Sequence, residues 1–166
     1  MDTAAQLTRA HVVTVSDRAY AHQMPDESGP AVARLLRSAG FEVDGPEVVP
    51  DSRESIIDVI QAAVGAGFEL IVTTGGTGLG PRDITPQATA AILDYEVPGL
   101  AEEMRRAGMR KTRQAMLSRS LAGVRERSLI LNLPGSVRGA TESLEAVLPA
   151  LGHAISLLRG NTEHAG

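Results

Sequence analysis

Cysteine and tryptophan are both absent from this chain of 166 residues. Without cysteine, disulfide bonds, thiolate metal ligands and a cysteine nucleophile are excluded. Two Phe and two Tyr are the remaining aromatic residues, so the chain has few platforms on which nucleic-acid bases would stack. A net charge of −4 provides no basic surface for a polyanion across the chain. Both observations argue against nucleic-acid binding.

Long hydrophobic runs are missing as well. No apolar stretch approaches the length of about 20 residues that a transmembrane helix needs. Residues 1–10 are polar and lack the apolar core of a signal peptide. Together with the absence of cysteine, these features predict a cytoplasmic protein that contacts no membrane.

The residues that are present predict one α/β domain. With 43% hydrophobic residues, the chain can bury a real core. Apolar runs typical of buried strands occur at His11–Val15, Phe41–Val49, Phe68–Thr74 and Ser128–Leu133. Helical patterns follow them at residues 28–39, 52–64, 86–94, 100–107 and 139–158, with a polar loop at 19–25 and a basic irregular stretch at 108–120. This alternation predicts a parallel sheet covered by helices on both faces. Residues 11–160 would form the domain, between a flexible extension at 1–10 and a tail at 161–166.

One edge of this sheet collects the residues with chemical potential. In open α/β sheets, ligands bind beyond the carboxyl ends of the strands. Asp17, Asp51, Asp83 and the turn at Pro134-Gly135 each follow a predicted strand. We therefore expect them to lie on the same rim.

The connection after the third strand is rich in glycine, with Gly75, Gly76, Gly78 and Gly80 in close succession. It matches neither common nucleotide-binding pattern. Pro81 replaces the last glycine of the dinucleotide fingerprint, and Pro81-Arg82 occupies the positions of Lys and Ser/Thr in a P-loop. An ordinary connection from strand to helix is the alternative. Four glycines and two threonine hydroxyls exceed what a tight turn needs, so the pattern favours a cradle of backbone amides for an anion.

Two carboxylates accompany this loop. Thr85-Pro86 resembles a helix start with Thr85 as the N-cap, which would leave Asp83 free for chemistry. Asp51 precedes Ser52 at the start of the next helix, and a capping role competes evenly with a catalytic one. Two carboxylates on a rim that binds phosphate would suit Mg²⁺, which is typically held by one or two carboxylates and substrate phosphates.

Other polar residues carry weaker signals. The basic run of Arg105, Arg106, Arg110, Lys111 and Arg113 is best explained as a solvated helix face. Ser118-Arg119 follows it and is by itself weak support for oxyanion binding. The four histidines share no metal-ligand spacing.

Taken together, the motifs resemble the molybdopterin-binding domain of molybdenum-cofactor biosynthesis proteins. The resemblance extends in order over residues 11–159, and its nearest counterparts are stand-alone molybdopterin adenylyltransferases, MoaB-type proteins and the equivalent domain of gephyrin. Its motifs are Val15-Ser16-Asp17-Arg18, Ser28-Gly29-Pro30, Val49-Pro50-Asp51, Thr73-Thr74-Gly75-Gly76-Thr77-Gly78, Arg82-Asp83-Ile84-Thr85-Pro86, Val97-Pro98-Gly99, Leu117-Ser118-Arg119 and Asn132-Leu133-Pro134-Gly135.

The resemblance implies a three-layer α/β/α domain with a mostly parallel sheet, which assembles as a homotrimer or hexamer. It implies transfer of AMP from ATP to the terminal phosphate of molybdopterin with release of pyrophosphate, in the presence of Mg²⁺. It also leaves room for a molybdenum-insertion protein as a partner. Asp51 and Asp83 would be the catalytic and metal-binding positions. Substrate contacts would come from Ser16, Asp17, Thr74, Gly75, Gly76, Thr77, Gly78, Arg82, Ser118, Arg119, Pro134 and Gly135.

The chain departs from this family at one position. Many members have Lys where Glu27 stands, so a positive contact to phosphate would be missing. Some MoaB-type members keep the fold with weak or absent adenylyl transfer. A non-catalytic molybdopterin-binding or carrier protein is therefore the alternative, and an interaction scaffold is a third reading.

Overall fold

The computed structural model describes residues 7–162. The first strand begins at Arg9, so Arg9 and Ala10 lie in the sheet rather than in the predicted N-terminal extension. Residues 1–6 of that extension and residues 163–166 of the predicted tail lie outside the described residues.

Strands and helices alternate through most of the chain. The strands are β1 (Arg9–Val15), β2 (Glu42–Val49), β3 (Leu70–Thr74), β4 (Tyr95–Glu96), β5 (Ala122–Arg125) and β6 (Ser128–Leu133). The helices are α1 (Asp17–Tyr20), α2 (Ser28–Ser38), α3 (Arg53–Gly65), α4 (Thr85–Ala90), α5 (Pro98–Met109) and α6 (Val137–Leu158), with a 3₁₀ helix at Arg113–Leu117. Of the helices within residues 7–162, none combines the length and apolar character required for a bilayer crossing.

Within residues 7–162, six strands form one sheet in the order β2-β1-β3-β6-β5-β4. The first four run parallel, whereas β5 and β4 are antiparallel additions at one edge. Apolar side chains project from both faces of the sheet into the helical layers. In β3, Leu70 and Val72 pack with α2, α5 and α6, while Ile71 packs with α3 and α4. This confirms the three-layer α/β/α architecture with a mostly parallel sheet, and it explains why β3 reads as a continuous apolar run.

Short elements at one edge were missed by the sequence analysis. β4 has two residues and β5 has four, of which one is Gly123, so neither shows a measurable alternation. β5 is a strand because it pairs antiparallel with β6, and β4 is a strand because it pairs antiparallel with β5. The loop predicted at residues 19–25 likewise contains the end of α1, and the helix predicted to reach residue 94 ends at Ala90.

An ion pair between Arg159 and Glu69 lies at the end of the sheet opposite the predicted rim. Arg159, just after α6, donates hydrogen bonds to the Glu69 carboxylate and to Thr8 Oγ1. The Arg159 guanidinium holds the pKa of Glu69 below its ordinary value of 4.5, although partial burial opposes this. The stabilisation by this ion pair is therefore fully present at pH values above the ordinary pKa of Glu69. It is lost as the pH falls through the lowered pKa of Glu69 in the folded protein.

Replacing Glu69 with Gln is expected to lower the free energy of unfolding by at most about 1 kcal/mol at neutral pH, because the pair is partly exposed. Urea unfolding at a series of pH values measures the effect. The difference from wild type should vanish in acid, and a difference independent of pH would contradict this account.

Candidate functional site

The turns after β1 and β2 are tied together by two aspartates. The Asp17 backbone N–H donates to Asp51 Oδ2, and the Asp51 N–H donates to Asp17 Oδ1, each at 2.9 Å. Both residues follow the carboxyl ends of neighbouring parallel strands. The structure thus places them on the rim expected from the strand order, and it fixes their carboxylates with reciprocal hydrogen bonds.

Arg82 crosses from the glycine-rich loop to these turns. Its guanidinium donates to both oxygens of the Asp17 carboxylate and to the Asp51 carbonyl oxygen. This pairing holds the pKa of Asp17 below its ordinary value. Arg82 was predicted to contact substrate, whereas here it is paired with Asp17. Its side chain is 67% exposed, so a phosphate can compete for it.

Asp51 does not cap the helix that follows it. Ser52 Oγ accepts the Ser55 N–H at 3.4 Å and so serves as the N-cap of α3. Burial raises the pKa of the Asp51 carboxyl, with further contributions from the charges of Asp17 and Asp83. Asp51 Oδ1 accepts no hydrogen bond within residues 7–162. The capping alternative is therefore excluded, and one oxygen of Asp51 remains available to a ligand.

Asp83 lies at the end of the glycine-rich loop and braces it. Its Oδ2 accepts the Gly80 N–H at 2.9 Å. The same oxygen would lie 2.9 Å from a Cβ on Gly78 and 2.8 Å from one on Gly80, so glycine at these positions makes room for the carboxylate. Oδ1 has no donor in the described part of the chain. Asp83 thus keeps one oxygen available beside the loop.

The predicted N-cap role of Thr85 is wrong. α4 begins at Thr85 itself, with Ile84 in the N-cap position and no side-chain cap. The Thr85 N–H donates to the Gly76 carbonyl at 3.1 Å, which draws Thr85 into the first turn beneath the loop. Pro86 is then the second helical residue, where a missing N–H has no cost.

Gly75 joins the loop to the neighbouring strands. Its N–H donates to the Leu133 carbonyl at 3.0 Å, and its φ of +102° suits glycine. A Cβ on Gly135 would lie 3.2 Å from the Gly75 Cα, so these two backbones touch. Thr74 Oγ1 donates to the Pro134 carbonyl at 2.7 Å. These contacts join the turns that follow β3 and β6 at the rim. The residues that make them were all predicted to contact substrate: Thr74, Gly75, Pro134 and Gly135.

The next four residues form the part of the loop that is open to an anion. The backbone N–H groups of residues 76–79 have no hydrogen-bond acceptor in the described structure. Gly76 also has a positive φ of +69°. Successive unpaired N–H groups beyond the carboxyl end of a buried strand can surround an anionic oxygen. This arrangement supports an anion cradle over an ordinary connection.

Arg119 donates three hydrogen bonds to carbonyl groups of the glycine-rich loop and thereby clamps this cradle. Its N–H donates to the Thr77 carbonyl, Nε to the Gly78 carbonyl and Nη2 to the Asp83 carbonyl, at 2.9, 2.9 and 2.6 Å. The guanidinium was predicted to contact substrate, but in this structure it bonds to loop carbonyls. Arg119 thus orders both the cradle and Asp83.

Replacing Arg119 with Met is expected to lower the free energy of unfolding by about 1–2 kcal/mol, because two partly buried carbonyls lose a charged donor. Arg119→Lys should recover little, since an ammonium lacks the planar fork that reaches both carbonyls. Urea unfolding and amide exchange at Gly80 and Asp83 measure the loss. Arg110→Met, at an exposed position of the same basic segment, is the matched control, and an equal effect in both variants would refute the clamp.

The basic segment is more than a solvated face. Arg106 pairs with Glu103 on the surface, as expected. Arg105, however, donates to the carbonyls of Ser118 and Ser120 at 3.3 and 2.7 Å. Ser118 Oγ donates in turn to Ser120 Oγ at 3.0 Å. The interpretation of Arg105 as a solvated residue is therefore wrong, because its side chain shapes the turn that carries Ser118.

Two cavities meet at the cradle. The larger, about 710 Å³, contains Asp17, Asp51, Ser16 and Thr74 in its lining. The smaller, about 520 Å³, contains Ser118 and also basic residues that the sequence analysis did not assign to the site: Arg105, Lys111 and Arg138. Gly76, Asp83, Gly135 and Ser136 line both. Asp83 thus stands at the junction of two ligand-sized spaces.

Ser136 is another residue that the sequence analysis did not select. Its Oγ accepts the Gly139 N–H at 3.0 Å and caps α6. The signal was available, because Ser136 follows a predicted strand and precedes a helical pattern.

A divalent cation fits the chemistry of this junction. No group of three or more His, Asp or Glu side chains within residues 7–162 is arranged to hold a metal ion unaided. In the described part of the chain, however, Asp51 and Asp83 each keep one carboxylate oxygen without a hydrogen-bond donor. The negative charge of Asp83 also contributes to the raised pKa of Asp51. Such a pair suits Mg²⁺ when substrate phosphates complete its coordination.

Comparison with known proteins places this geometry in context. The model of a family described as a probable molybdopterin-binding domain matches residues 11–153. The chain is 40% identical to the molybdopterin adenylyltransferase of Helicobacter pylori J99, over 90% of this chain and 87% of that protein. It is 39% identical to the molybdenum cofactor biosynthesis bifunctional protein of Chlorobaculum tepidum, over 92% of this chain. The chain spans about half of that longer relative, at 49% of its length.

A solved structure shows the same fold. The molybdopterin biosynthesis enzyme MoaB from Thermus thermophilus superposes with a TM-score of 0.87 at 53% identity. The match covers 93% of this chain and 98% of that one. The family resemblance drawn from the sequence motifs is confirmed.

Proposed function

The chain belongs to the family of probable molybdopterin-binding domains, and from this premise we propose that it is a molybdopterin adenylyltransferase of molybdenum-cofactor biosynthesis. Such an enzyme transfers AMP from ATP to the terminal phosphate of molybdopterin and releases pyrophosphate. One observation supports this most strongly. The backbone N–H groups of residues 76–79 have no acceptor within residues 7–162, and they lie in the loop that leads to Asp83, where two ligand-sized cavities meet.

The reaction needs positioning more than proton transfer. A phosphate oxygen of the pterin attacks the α-phosphorus of ATP, the bond to the β-phosphate oxygen breaks, and pyrophosphate leaves with that electron pair. The attacking oxygen is already anionic, so no general base is required. The amides of residues 76–79 would bind phosphate oxygens and hold the two polyanions in line. The absence of an acid–base histidine from the described rim is consistent with this chemistry.

Asp51 and Asp83 would hold Mg²⁺ together with the substrate phosphates. The cation would supply charge neutralisation for the phosphate groups. The chain itself prepares these carboxylates: Asp17 orients Asp51 through its N–H, and Gly80 orients Asp83. Arg82, which is exposed, would exchange Asp17 for a phosphate oxygen, and the Ser118 turn would line the second substrate space.

A non-catalytic molybdopterin carrier is the second candidate. The larger cavity has an acidic lining that includes Glu27 and Asp26 besides Asp17 and Asp51. Such a lining disfavours a free triphosphate, because like charges repel. A carrier of this kind would bind pterin without consuming ATP.

A pyrophosphate-release assay with purified protein, molybdopterin, ATP and Mg²⁺ separates the two candidates. Release that requires both pterin and Mg²⁺ is the expected result. Pterin binding without release, together with no binding of ATP in calorimetry at any Mg²⁺ concentration, would favour the carrier. Glu27→Lys would then be the first variant in which to look for recovered ATP binding.

The assembly and its surroundings are part of the same proposal. The chain would act in the cytoplasm as a homotrimer or hexamer and deliver its product to a molybdenum-insertion protein. Exposed apolar side chains at Met109, Met116 and Leu117 support self-association, since water would otherwise surround them. Light scattering after size-exclusion chromatography tests the assembly.

A further inference from the structure

Thr85 carries a hydroxyl group that makes no hydrogen bond in the described structure. The residue is fully buried at the start of α4, and its Oγ1 has no hydrogen-bond partner within residues 7–162. A buried hydroxyl without a partner is unfavourable, because its hydrogen bonds to water are lost and not replaced. Valine has the same shape and would avoid that cost, so the hydroxyl requires an explanation.

The hydroxyl lies close to a carboxylate of the proposed site. A Cβ atom built on Gly76 would overlap Thr85 Oγ1 and would lie 3.2 Å from Asp51 Oδ1. The two oxygens are therefore less than two hydrogen-bond lengths apart, although no bond joins them. Because Gly76 has no side chain, the position next to both oxygens that a Cβ would occupy is empty of protein atoms from that residue.

The other oxygen of Asp51 is already held. Asp51 Oδ2 accepts the Asp17 N–H, so rotation of the carboxylate chiefly moves Oδ1. A donor beside Oδ1 would select one orientation of this carboxylate. Thr85 Oγ1 is a buried donor of that kind, carried on a helix whose start is bonded to the Gly76 carbonyl.

We infer that Thr85 is a positioning residue for Asp51, an inference that rests on the proposed adenylyl transfer. Its hydroxyl donates to the Asp51 carboxylate when that carboxylate binds a divalent cation together with the substrate phosphates. The hydrogen bond is absent without ligand and present with it. Thr85 therefore raises affinity for the cation without stabilising the unliganded chain.

Thr85→Val removes the hydroxyl and keeps the shape. Without ligands, this variant is expected to unfold at the wild-type temperature or above it, because an unsatisfied polar group is gone. The Mg²⁺ concentration needed for half-maximal ATP affinity is expected to rise about tenfold, as for loss of a hydrogen bond to a charged group. Calorimetric titration with ATP at increasing Mg²⁺, without pterin, measures this requirement independently of turnover.

Two further variants separate the hydroxyl from the methyl group. Thr85→Ser and Thr85→Ala both lose the methyl group and differ in the hydroxyl. The Ser variant should keep the wild-type Mg²⁺ requirement within about twofold, whereas the Ala variant should share the shift of Thr85→Val. Thr141→Val is the matched control, because the Thr141 hydroxyl donates to the Val137 carbonyl within α6 and faces neither cavity.

Equal Mg²⁺ requirements in wild type and Thr85→Val would overturn the inference and leave the proposed function intact. A ligand-free Thr85→Val that unfolds well below wild type would overturn it too, because the hydroxyl would then support the fold. Wild-type protein that neither binds ATP nor releases pyrophosphate at any Mg²⁺ concentration would instead refute the proposed function.

Discussion

Replacing Asp83 with Asn is expected to lower turnover by about 10²–10³-fold, the loss typical of removing one preorganised electrostatic contact. The substitution removes a negative charge at the junction of the two cavities. It keeps an oxygen that can accept the Gly80 N–H, so the loop retains its brace. Pyrophosphate release measures the loss, and thermal unfolding should remain close to wild type.

Asp58→Asn is the control for this result. Asp58 lies on the exposed side of α3 and lines neither cavity, so its variant should be fully active. Asp51→Asn should lose turnover as Asp83→Asn does, because both carboxylates are assigned to the same cation. Full activity in Asp83→Asn would remove the carboxylate from the mechanism, whatever happens to the fold.

Replacing Gly75 with Ala is expected to lower the free energy of unfolding by about 3 kcal/mol or more, the combined effect of backbone strain and overpacking. The residue has a φ of +102°, and its Cβ would overlap the Val15 carbonyl oxygen at the end of β1. Neither obstacle can be relieved by turning a side chain, because both involve backbone. Urea unfolding of the whole chain measures the loss.

Gly78→Ala and Gly65→Ala are the controls that show whether the loss of stability is specific to Gly75. Gly65 ends α3 with open space around its Cβ position, so alanine there should be neutral or stabilise by up to about 1 kcal/mol. At Gly78, an added Cβ would press on Asp83 Oδ2 at 2.9 Å, a side-chain atom that can move. That variant should fold normally and lose activity. Equal stability of all three variants would contradict the structural role assigned to Gly75.

The sequence predicted the layers of the fold because its signals are local and repeated. Continuous apolar runs such as Leu70–Thr74 require burial on both faces of a sheet, and the amphipathic patterns between them require helices that cover those faces. The short strands β4 and β5 were missed for the converse reason. A strand of two residues has no periodicity, and Tyr95–Glu96 becomes a strand because β5 lies beside it.

The rim of the site was likewise predictable in outline. Each of Asp17, Asp51 and Asp83 follows a strand, and parallel strands present their carboxyl ends at one edge. The assignment of roles within that rim was less accessible. By sequence pattern, a capping role for Asp51 competed evenly with a catalytic one. The structure excludes the capping role because the Ser55 N–H donates to Ser52 Oγ, whereas Asp51 Oδ2 accepts the Asp17 N–H.

The amino-acid sequence by itself determined the α/β architecture, the family and the rim on which the carboxylates lie, because these depend on patterns that are contiguous along the chain. Only the tertiary structure decided which hydrogen-bond donors are bonded within the protein and which remain available to a ligand. Arg119 donates hydrogen bonds to loop carbonyls 36 and 41 positions away. Among residues 7–162, the Thr85 hydroxyl and the N–H groups of residues 76–79 have no hydrogen-bond partner. Those outcomes depend on distances between segments that are remote in sequence, which no local pattern encodes.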